Sequence, residues 1–288
     1  MRGTIVKALS GFYYVKIGGG RIYRCRARGI FKKDGLSPLV GDEALIDVLD
    51  EEDGFVTEIL PRRNSFIRPA VANIDLFVAT VSVNDPKPHP EILDRFLATA
   101  EAAGAEAIIC VNKTDLGAAT ELENIYSKLY DMVEVSAKTG AGIGGLENLL
   151  AGRRSAFAGP SGVGKSSIVN RLLGRDAAET GGISGKTGRG KHTTRHVEIF
   201  EMGGGAELLD TPGYTSFDGT LVEPEEIGGL FREMAQLSEG CRFDDCMHAD
   251  EPDCAVLEAC ADGRIAPSRY DSYRRMLSES LDRRKKGM

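Results

Sequence analysis

The sequence lacks any apolar run approaching the roughly 20 residues of a membrane span, and it lacks the apolar core of a secretion signal near its N-terminus. These absences argue against a membrane or secreted protein, so we expect a cytoplasmic protein with no membrane partner. Cysteine is also scarce, with six among 288 residues. In an intracellular protein such cysteines favour metal ligands or buried thiols over disulfides.

Acidic residues are absent from the first 33 positions, which contain nine lysines and arginines. The net charge is nonetheless -7, so the chain is not coated in basic residues. Aromatic residues interleave with the early cations: Phe12, Tyr13, Tyr14, Tyr23 and Phe31. Cations that reach phosphates beside rings that stack on bases are typical of RNA-binding barrels. The alternative is an ordinary barrel with its rings inside and its charges solvated. A basic tail favours RNA binding: Arg269, Arg274, Arg275, Arg283, Arg284, Lys285 and Lys286.

The length suits two or three domains. Residues 1–64 contain five short β-rich runs separated by glycine turns, which predicts a small barrel of the OB-fold type. Over residues 65–218 strand and helix patterns alternate, which predicts a parallel sheet wrapped by helices, with ligands at the carboxyl ends of its strands. Residues 219–288 have helical patterns and a cysteine cluster, and we expect a third, mostly helical domain there.

A glycine-rich phosphate loop follows one predicted strand and opens a helix. Residues 159–166 fit the pattern G-x-x-x-x-G-K-[ST], in which backbone N–H groups and a helix N-terminus face phosphates. We expect Lys165 to reach the β and γ phosphates of a nucleotide and Ser166 to coordinate Mg²⁺. The predicted phosphate-binding residues are Gly159, Pro160, Ser161, Gly162, Val163, Gly164, Lys165, Ser166 and Ser167.

Two further motifs predict that the base is guanine. The Asp115 carboxylate can accept hydrogen bonds from the two adjacent donors on the guanine edge, and adenine has no such pair. The second motif could offer backbone N–H groups to the guanine oxygen. The motif residues are Asn112, Lys113, Thr114 and Asp115, then Ser136, Ala137 and Lys138.

The remaining nucleotide motifs lie after the phosphate loop. Asp210 would hold Mg²⁺ through water, and the Gly213 N–H could meet the γ-phosphate. Thr193 or Thr194 would complete the magnesium shell, and the sequence leaves open which. Tyr214 stands where Ras-like enzymes carry a water-orienting glutamine, so His192 is the candidate catalytic residue. A solvated loop histidine is the alternative.

The order of these motifs is unusual. A Ras-like GTPase begins with the phosphate loop and ends with the guanine motifs, whereas here the guanine motifs come first. The sequence therefore predicts a circularly permuted GTPase. An ATP-dependent enzyme that uses the same phosphate loop is the competing interpretation. A third is a zinc-stabilised RNA-binding module whose GTP site regulates without meaningful turnover.

A cluster of three cysteines and one histidine occupies 14 residues near the C-terminus. Its members are Cys241, Cys246, His248 and Cys254, with Cys260 as a possible substitute. Three thiols and an imidazole are the donors of tetrahedral zinc, and four protein ligands imply a structural metal rather than a catalytic one. We predict one structural Zn²⁺ per chain.

Together, the barrel, the permuted motifs and the metal cluster resemble the RsgA family of ribosome-biogenesis GTPases, also called YjeQ or EngC. The resemblance covers nearly the whole chain, including residues 159–167 and 189–195 and the cysteine–histidine spacing. It implies an OB-fold, a GTPase domain and a zinc-binding domain that act on the 30S subunit and its 16S rRNA late in maturation. It also implies that the subunit stimulates hydrolysis. We expect GTP, GDP and Mg²⁺ as ligands and a monomeric chain.

Overall fold

The structure, a computed structural model, describes residues 1–28, 31, 37–67, 69–174, 197–210 and 222–286. Within these ranges, none of the helices combines the length and the apolar character needed to cross a membrane.

The N-terminal barrel is built from five strands that each bury one face. They are β1 (Arg2–Leu9), β2 (Phe12–Ile17), β3 (Ile22–Ala27), β4 (Glu43–Val48) and β5 (Asp53–Ile59). Their order is β1-β2-β3-β5-β4, and β4 also pairs with β1, which closes the barrel. Alternate residues point inward, such as Ile5, Val15, Cys25 and Val56. A closed five-stranded barrel is the predicted OB-fold.

A second set of strands forms the sheet that carries the nucleotide motifs. After the small hairpin of β6 (Ser65–Phe66) and β7 (Val71–Ala72), the strands are β8 (Leu76–Ser82), β9 (Glu106–Asn112), β10 (Asp131–Glu134), β11 (Arg154–Ala158), β12 (Glu198–Glu201) and β13 (Glu207–Asp210). Their order in the sheet is β10-β9-β8-β11-β13-β12. The first five strands in this order are parallel, as predicted.

Helices cover both faces of this sheet. They are α1 (Pro90–Ala103), α2 (Thr120–Tyr126), α3 (Ile143–Leu150) and α4 (Lys165–Leu172). Strand β8 is buried along its whole length, because Leu76 and Val78 pack toward α3 and α4 while Phe77 and Ala79 belong to the core under α1 and α2. The doubly covered sheet brings the carboxyl ends of β9, β10 and β11 to one edge.

Strand β12, the last strand of the nucleotide sheet, differs from the predicted parallel arrangement, because it runs antiparallel to β13. A short turn over Gly203–Gly205 joins the two strands, and a connection of that length cannot cross over to make a parallel pair. Strand β12 also pairs with β1, so the barrel and the nucleotide sheet form one continuous eleven-stranded sheet. The Lys7 ammonium lies 2.8 Å from the Glu198 carboxylate at this junction.

The C-terminal part contains helices and, over residues 222–286, no strand. A 3-10 helix at Pro224–Leu230 precedes α5 (Arg232–Leu237), α6 (Ala255–Ala261) and α7 (Pro267–Lys285). Their core contains Phe231, Met234, Val256, Tyr273 and Leu277. The fold is thus a circularly permuted P-loop domain between an OB-fold barrel and a mostly helical region that carries the metal ligands.

Candidate nucleotide site and metal centre

The phosphate loop connects β11 to α4, and two of its glycines have no space for a side chain. Gly159 has φ +152, and a Cβ atom there would lie 2.2 Å from the Thr80 carbonyl oxygen. Gly164 has φ +95, and its Cβ would lie 2.3 Å from the Asn112 side-chain nitrogen. Neither contact leaves room for a side chain, so the loop lies directly against β8 and the guanine motif.

One asparagine connects the three nucleotide loops. The Asn112 Nδ2 donates to the Val163 carbonyl at 2.8 Å, which fixes the phosphate loop. The Asn112 Oδ1 accepts from the Ala137 N–H at 3.0 Å, which fixes the second guanine motif. The side chain is buried, so water cannot replace these partners at low cost.

Replacing Asn112 with alanine should therefore weaken both folding and nucleotide binding. Two backbone groups would lose their partner, and we expect the free energy of unfolding to fall by about 2 kcal/mol. Nucleotide affinity should fall as well because the loops lose their connection. Asn64→Ala is the matched control. The Asn64 side chain also makes two hydrogen bonds to the backbone, both to Ile74, and this contact is remote from the nucleotide loops. Denaturant unfolding and GTP titration of both variants test this, and equal GTP affinities would contradict it.

The Asp115 carboxylate is oriented by the second guanine motif. Ser136 Oγ donates to Asp115 Oδ1 at 2.7 Å, and the Lys138 ammonium lies 3.8 Å from Oδ2. The Ser136 hydrogen bond, with a smaller contribution from Lys138, lowers the pKa of Asp115. Asp115 is therefore an ionised acceptor in a fixed orientation, as recognition of two neighbouring donors requires.

The Lys165 side chain folds back onto its own loop. Its ammonium donates to the Pro160 carbonyl at 2.8 Å and to the Gly159 carbonyl. Burial lowers the pKa of Lys165 to about 8, because the charged form is poorly solvated there. Anionic phosphate oxygens would be stronger partners for this ammonium than neutral carbonyls.

A loop at residues 83–89, between β8 and α1, also borders the site and was not predicted. The Asp85 carbonyl accepts a hydrogen bond from the Lys113 ammonium, and a Cβ on Gly162 would lie 3.5 Å from the Pro86 Cδ. The signal was an Asn-Asp-Pro turn directly after a buried strand.

The remaining predicted site residues are divided between the described part of the chain and the rest. His192, Thr193, Thr194 and Gly213 lie outside the described residues. Asp210 ends β13, which runs parallel to β11 and so approaches the phosphate loop from the neighbouring strand. Ser166 and Ser167 lie in the first turn of α4, and Thr114 begins a 3-10 helix at Thr114–Leu116.

The four predicted metal ligands lie together. The ligand atoms of Cys241, Cys246, His248 and Cys254 are all within 4.8 Å of one another. Cys241 Sγ lies 3.8 Å from Cys254 Sγ, and His248 Nδ1 lies 3.6 Å and 3.4 Å from these two sulfurs. Tetrahedral zinc with its usual bond lengths separates sulfurs by about 3.8 Å and sulfur from nitrogen by about 3.6 Å. The cluster therefore fits zinc, and Cys260 is outside it.

The loop that carries these ligands is held by hydrogen bonds between its backbone and two side chains, one of its own and one of α7. The Glu251 carboxylate accepts backbone hydrogen bonds from Met247 at 3.0 Å and from Ala249 at 2.7 Å. The Tyr270 hydroxyl donates to the His248 carbonyl at 2.9 Å. Burial lowers the pKa of His248, which favours the neutral imidazole that binds metals.

Comparison with known proteins supports this arrangement. Residues 59–220 match the family model described as RsgA GTPase, and residues 2–56 match the one described as RsgA N-terminal domain. A relative from Caldanaerobacter subterraneus, called small ribosomal subunit biogenesis GTPase RsgA, is 42% identical over 99% of this chain and 98% of its own length. One of the same name from Agathobacter rectalis is 44% identical over 99% of this chain and all of its own.

Two solved structures are similar to this chain over nearly its whole length. The crystal structure of YjeQ from Thermotoga maritima matches with a TM-score of 0.82 and 36% identity, covering 97% of this chain and 98% of that one. The structure of YloQ, described as a circularly permuted GTPase, matches with a TM-score of 0.79 and 34% identity, covering 98% and 95%. With its rotated motifs gathered at one edge of the sheet, this chain belongs to the RsgA family of circularly permuted GTPases and hydrolyses GTP.

Proposed function

We propose that this GTPase acts late in the maturation of the 30S small ribosomal subunit and binds and leaves the subunit according to its nucleotide state. The observation that supports this most is its similarity to small ribosomal subunit biogenesis GTPases along nearly its whole length. That similarity spans the barrel and the metal centre as well as the nucleotide sheet. In this proposal the chain acts as a monomer.

The proposed nucleotide site assigns one task to each loop. The phosphate loop of residues 159–167 binds the phosphates, with Lys165 on the β and γ groups. Mg²⁺ would be held by Ser166, by either Thr193 or Thr194, and through water by Asp210, and it would offset phosphate charge. The Gly213 N–H meets the γ-phosphate. The motif residues Asn112, Lys113, Thr114 and Asp115 bind the base together with Ser136, Ala137 and Lys138.

The barrel is the proposed contact with 16S rRNA. The Arg24 and Arg26 guanidinium groups lie 5.3 Å and 4.9 Å from the centre of the Phe12 ring, so cations and an aromatic face occur together on one side of the barrel. Arg24 is also paired with Asp53. Phosphates attract such cations and unpaired bases stack on such rings. The zinc in this proposal is structural, one ion per chain.

Hydrolysis assays with and without 30S subunits test the proposed function. We expect 30S subunits to accelerate GTP hydrolysis and 50S subunits, the control, to leave it unchanged. An unchanged rate with 30S subunits would favour a nucleotide-regulated binding module. Affinity for 30S subunits measured with a non-hydrolysable GTP analogue and with GDP should differ, and equal affinities would contradict cycling by nucleotide state.

His192 is the proposed catalytic residue. We expect His192→Ala to lower 30S-stimulated turnover by about 100-fold or more while GTP affinity is retained, because general acid–base groups contribute on that scale. His89→Ala is the matched control, since His89 is exposed and its side chain does not cap the helix that it precedes. Single-turnover kinetics measure both, and normal turnover of His192→Ala would remove this residue from the mechanism.

A further inference from the structure

A buried ionic cluster connects the C-terminal helices to the nucleotide domain. Arg269 of α7 contacts Glu233 through two hydrogen bonds of 2.6 Å and 2.8 Å, and donates to Asp94 Oδ1 of α1 at 2.7 Å. The Tyr126 hydroxyl of α2 donates to the same Asp94 oxygen at 2.7 Å. All four residues are at most 9% exposed. We call these residues the Arg269 cluster.

Two members of the Arg269 cluster belong to helices that follow loops at the nucleotide site. Asp94 lies in the second turn of α1, which is preceded by the loop at 83–89. The Asp85 carbonyl of that loop accepts a hydrogen bond from Lys113 of the guanine motif. Tyr126 is the last residue of α2, the helix that follows the guanine motif. The Arg269 cluster therefore joins the helix that follows the Lys113-binding loop to the helix that follows residues 112–115.

Arg269 is the component on which this arrangement depends. Burial raises the pKa of Asp94, while the Arg269 charge acts against that rise. Without the guanidinium, the carboxylates of Asp94 and Glu233 would be buried with no cation, which is costly. They would have to gain protons or water, and either change weakens the hydrogen bond by which Asp94 joins α1 to α2. Arg269 also lies over the rings of Phe231 at 4.6 Å and Tyr126 at 5.6 Å.

We propose that Arg269 is a positioning residue for guanine recognition, because it fixes α1 and α2 and thereby the loop that contacts Lys113 and the segment that carries Asp115. The inference rests on the proposed role of Asp115 in the nucleotide site. It makes the docking of the C-terminal helices a determinant of base specificity, although no residue of those helices belongs to the nucleotide motifs. Coupling of this kind travels through packed elements that share a contact.

The test compares affinities for GTP and ITP, whose hypoxanthine base lacks the 2-amino group that Asp115 would bind. We expect Arg269→Met to lower the preference for GTP over ITP by about 2- to 30-fold, the usual range of such coupling. A smaller folded fraction would reduce both affinities equally and leave their ratio unchanged. Arg284→Met is the matched control, since Arg284 lies on the same helix in an exposed pair with Glu225.

Tyr126→Phe keeps the test decisive where Arg269→Met does not fold. It removes only the hydroxyl that binds Asp94, and we expect a smaller fall in the same ratio. Folded variants that keep the ratio of the natural protein would overturn the inference. A natural protein that does not prefer GTP to ITP would instead overturn the proposed role of Asp115, so the two failures are distinguishable.

Discussion

Replacing Cys254 with serine should release the metal and unfold the C-terminal helices over residues 222–286. Structural zinc contributes about 10 to 16 kcal/mol of apparent binding free energy in small zinc-stabilised domains, which is comparable with the whole stability of an ordinary domain. Serine is a poor ligand for this metal, and Cys254 directly precedes α6. Zinc analysis of the purified protein and amide hydrogen exchange over α5, α6 and α7 measure the effect.

Cys260→Ser is the matched control for this substitution. Cys260 is partly buried nearby but lies outside the group of four ligand atoms. We expect this variant to keep one zinc per chain and the natural exchange pattern. Chelation of the natural protein should reproduce the Cys254→Ser result. A Cys254→Ser protein with stoichiometric zinc and protected C-terminal helices would contradict the proposed ligand set.

The expected sensitivity of residues 222–286 to loss of the metal follows from how the segment with the four ligands is built. The segment between α5 and α6 contains no regular helix or strand beyond a single turn at Ser238–Gly240. Its backbone accepts a hydrogen bond from the Tyr270 hydroxyl and donates to the Glu251 carboxylate. In the proposed site, a metal shared by the four ligands is the remaining restraint. His248 adopts φ 52, a left-handed conformation that is unfavourable for a non-glycine residue. In the proposed zinc site, the free energy of metal binding orders this segment.

Asp115→Asn should abolish most of the affinity for GTP. The amide would present an N–H group to the donors of guanine where the carboxylate accepts, and loss of a charged hydrogen-bond partner costs about 30- to several-thousand-fold in affinity. Xanthine nucleotides carry a carbonyl in place of the 2-amino group, so the variant should bind XTP better than GTP. Equilibrium titration with both nucleotides measures this exchange of preference.

Asp131→Asn makes the same chemical change at an exposed position at the start of β10, the opposite end of that strand from the guanine loops. We expect this control to bind GTP normally. An Asp115→Asn protein that still prefers GTP to XTP would contradict the assignment of the guanine-reading carboxylate. The Ser136 hydroxyl, which orients Asp115, should then be examined as a direct contact to the base.

Much of the nucleotide site follows from the sequence because its parts are short contiguous stretches. The phosphate loop is defined by the glycines at 159 and 164 and the lysine at 165. These residues identify it at any position in the chain, because they encode its backbone conformation locally. The β-rich runs predict the barrel strands for the same reason. Three cysteines and a histidine within 14 residues predict a metal cluster because chain length alone keeps such ligands near one another.

The tertiary structure alone decides which distant residues meet. Asn112 touches a carbonyl 51 positions away, and Arg269 reaches an aspartate 175 positions away. No local pattern marks either partner, because a buried ionic residue resembles a surface one until its surroundings are known. Likewise, β12 runs antiparallel to β13 because the turn between them is short, and its other side pairs with β1 of the barrel. The motifs and their permuted order follow from the sequence, whereas long-range packing decides how the barrel and the helices around the predicted metal ligands are joined to them.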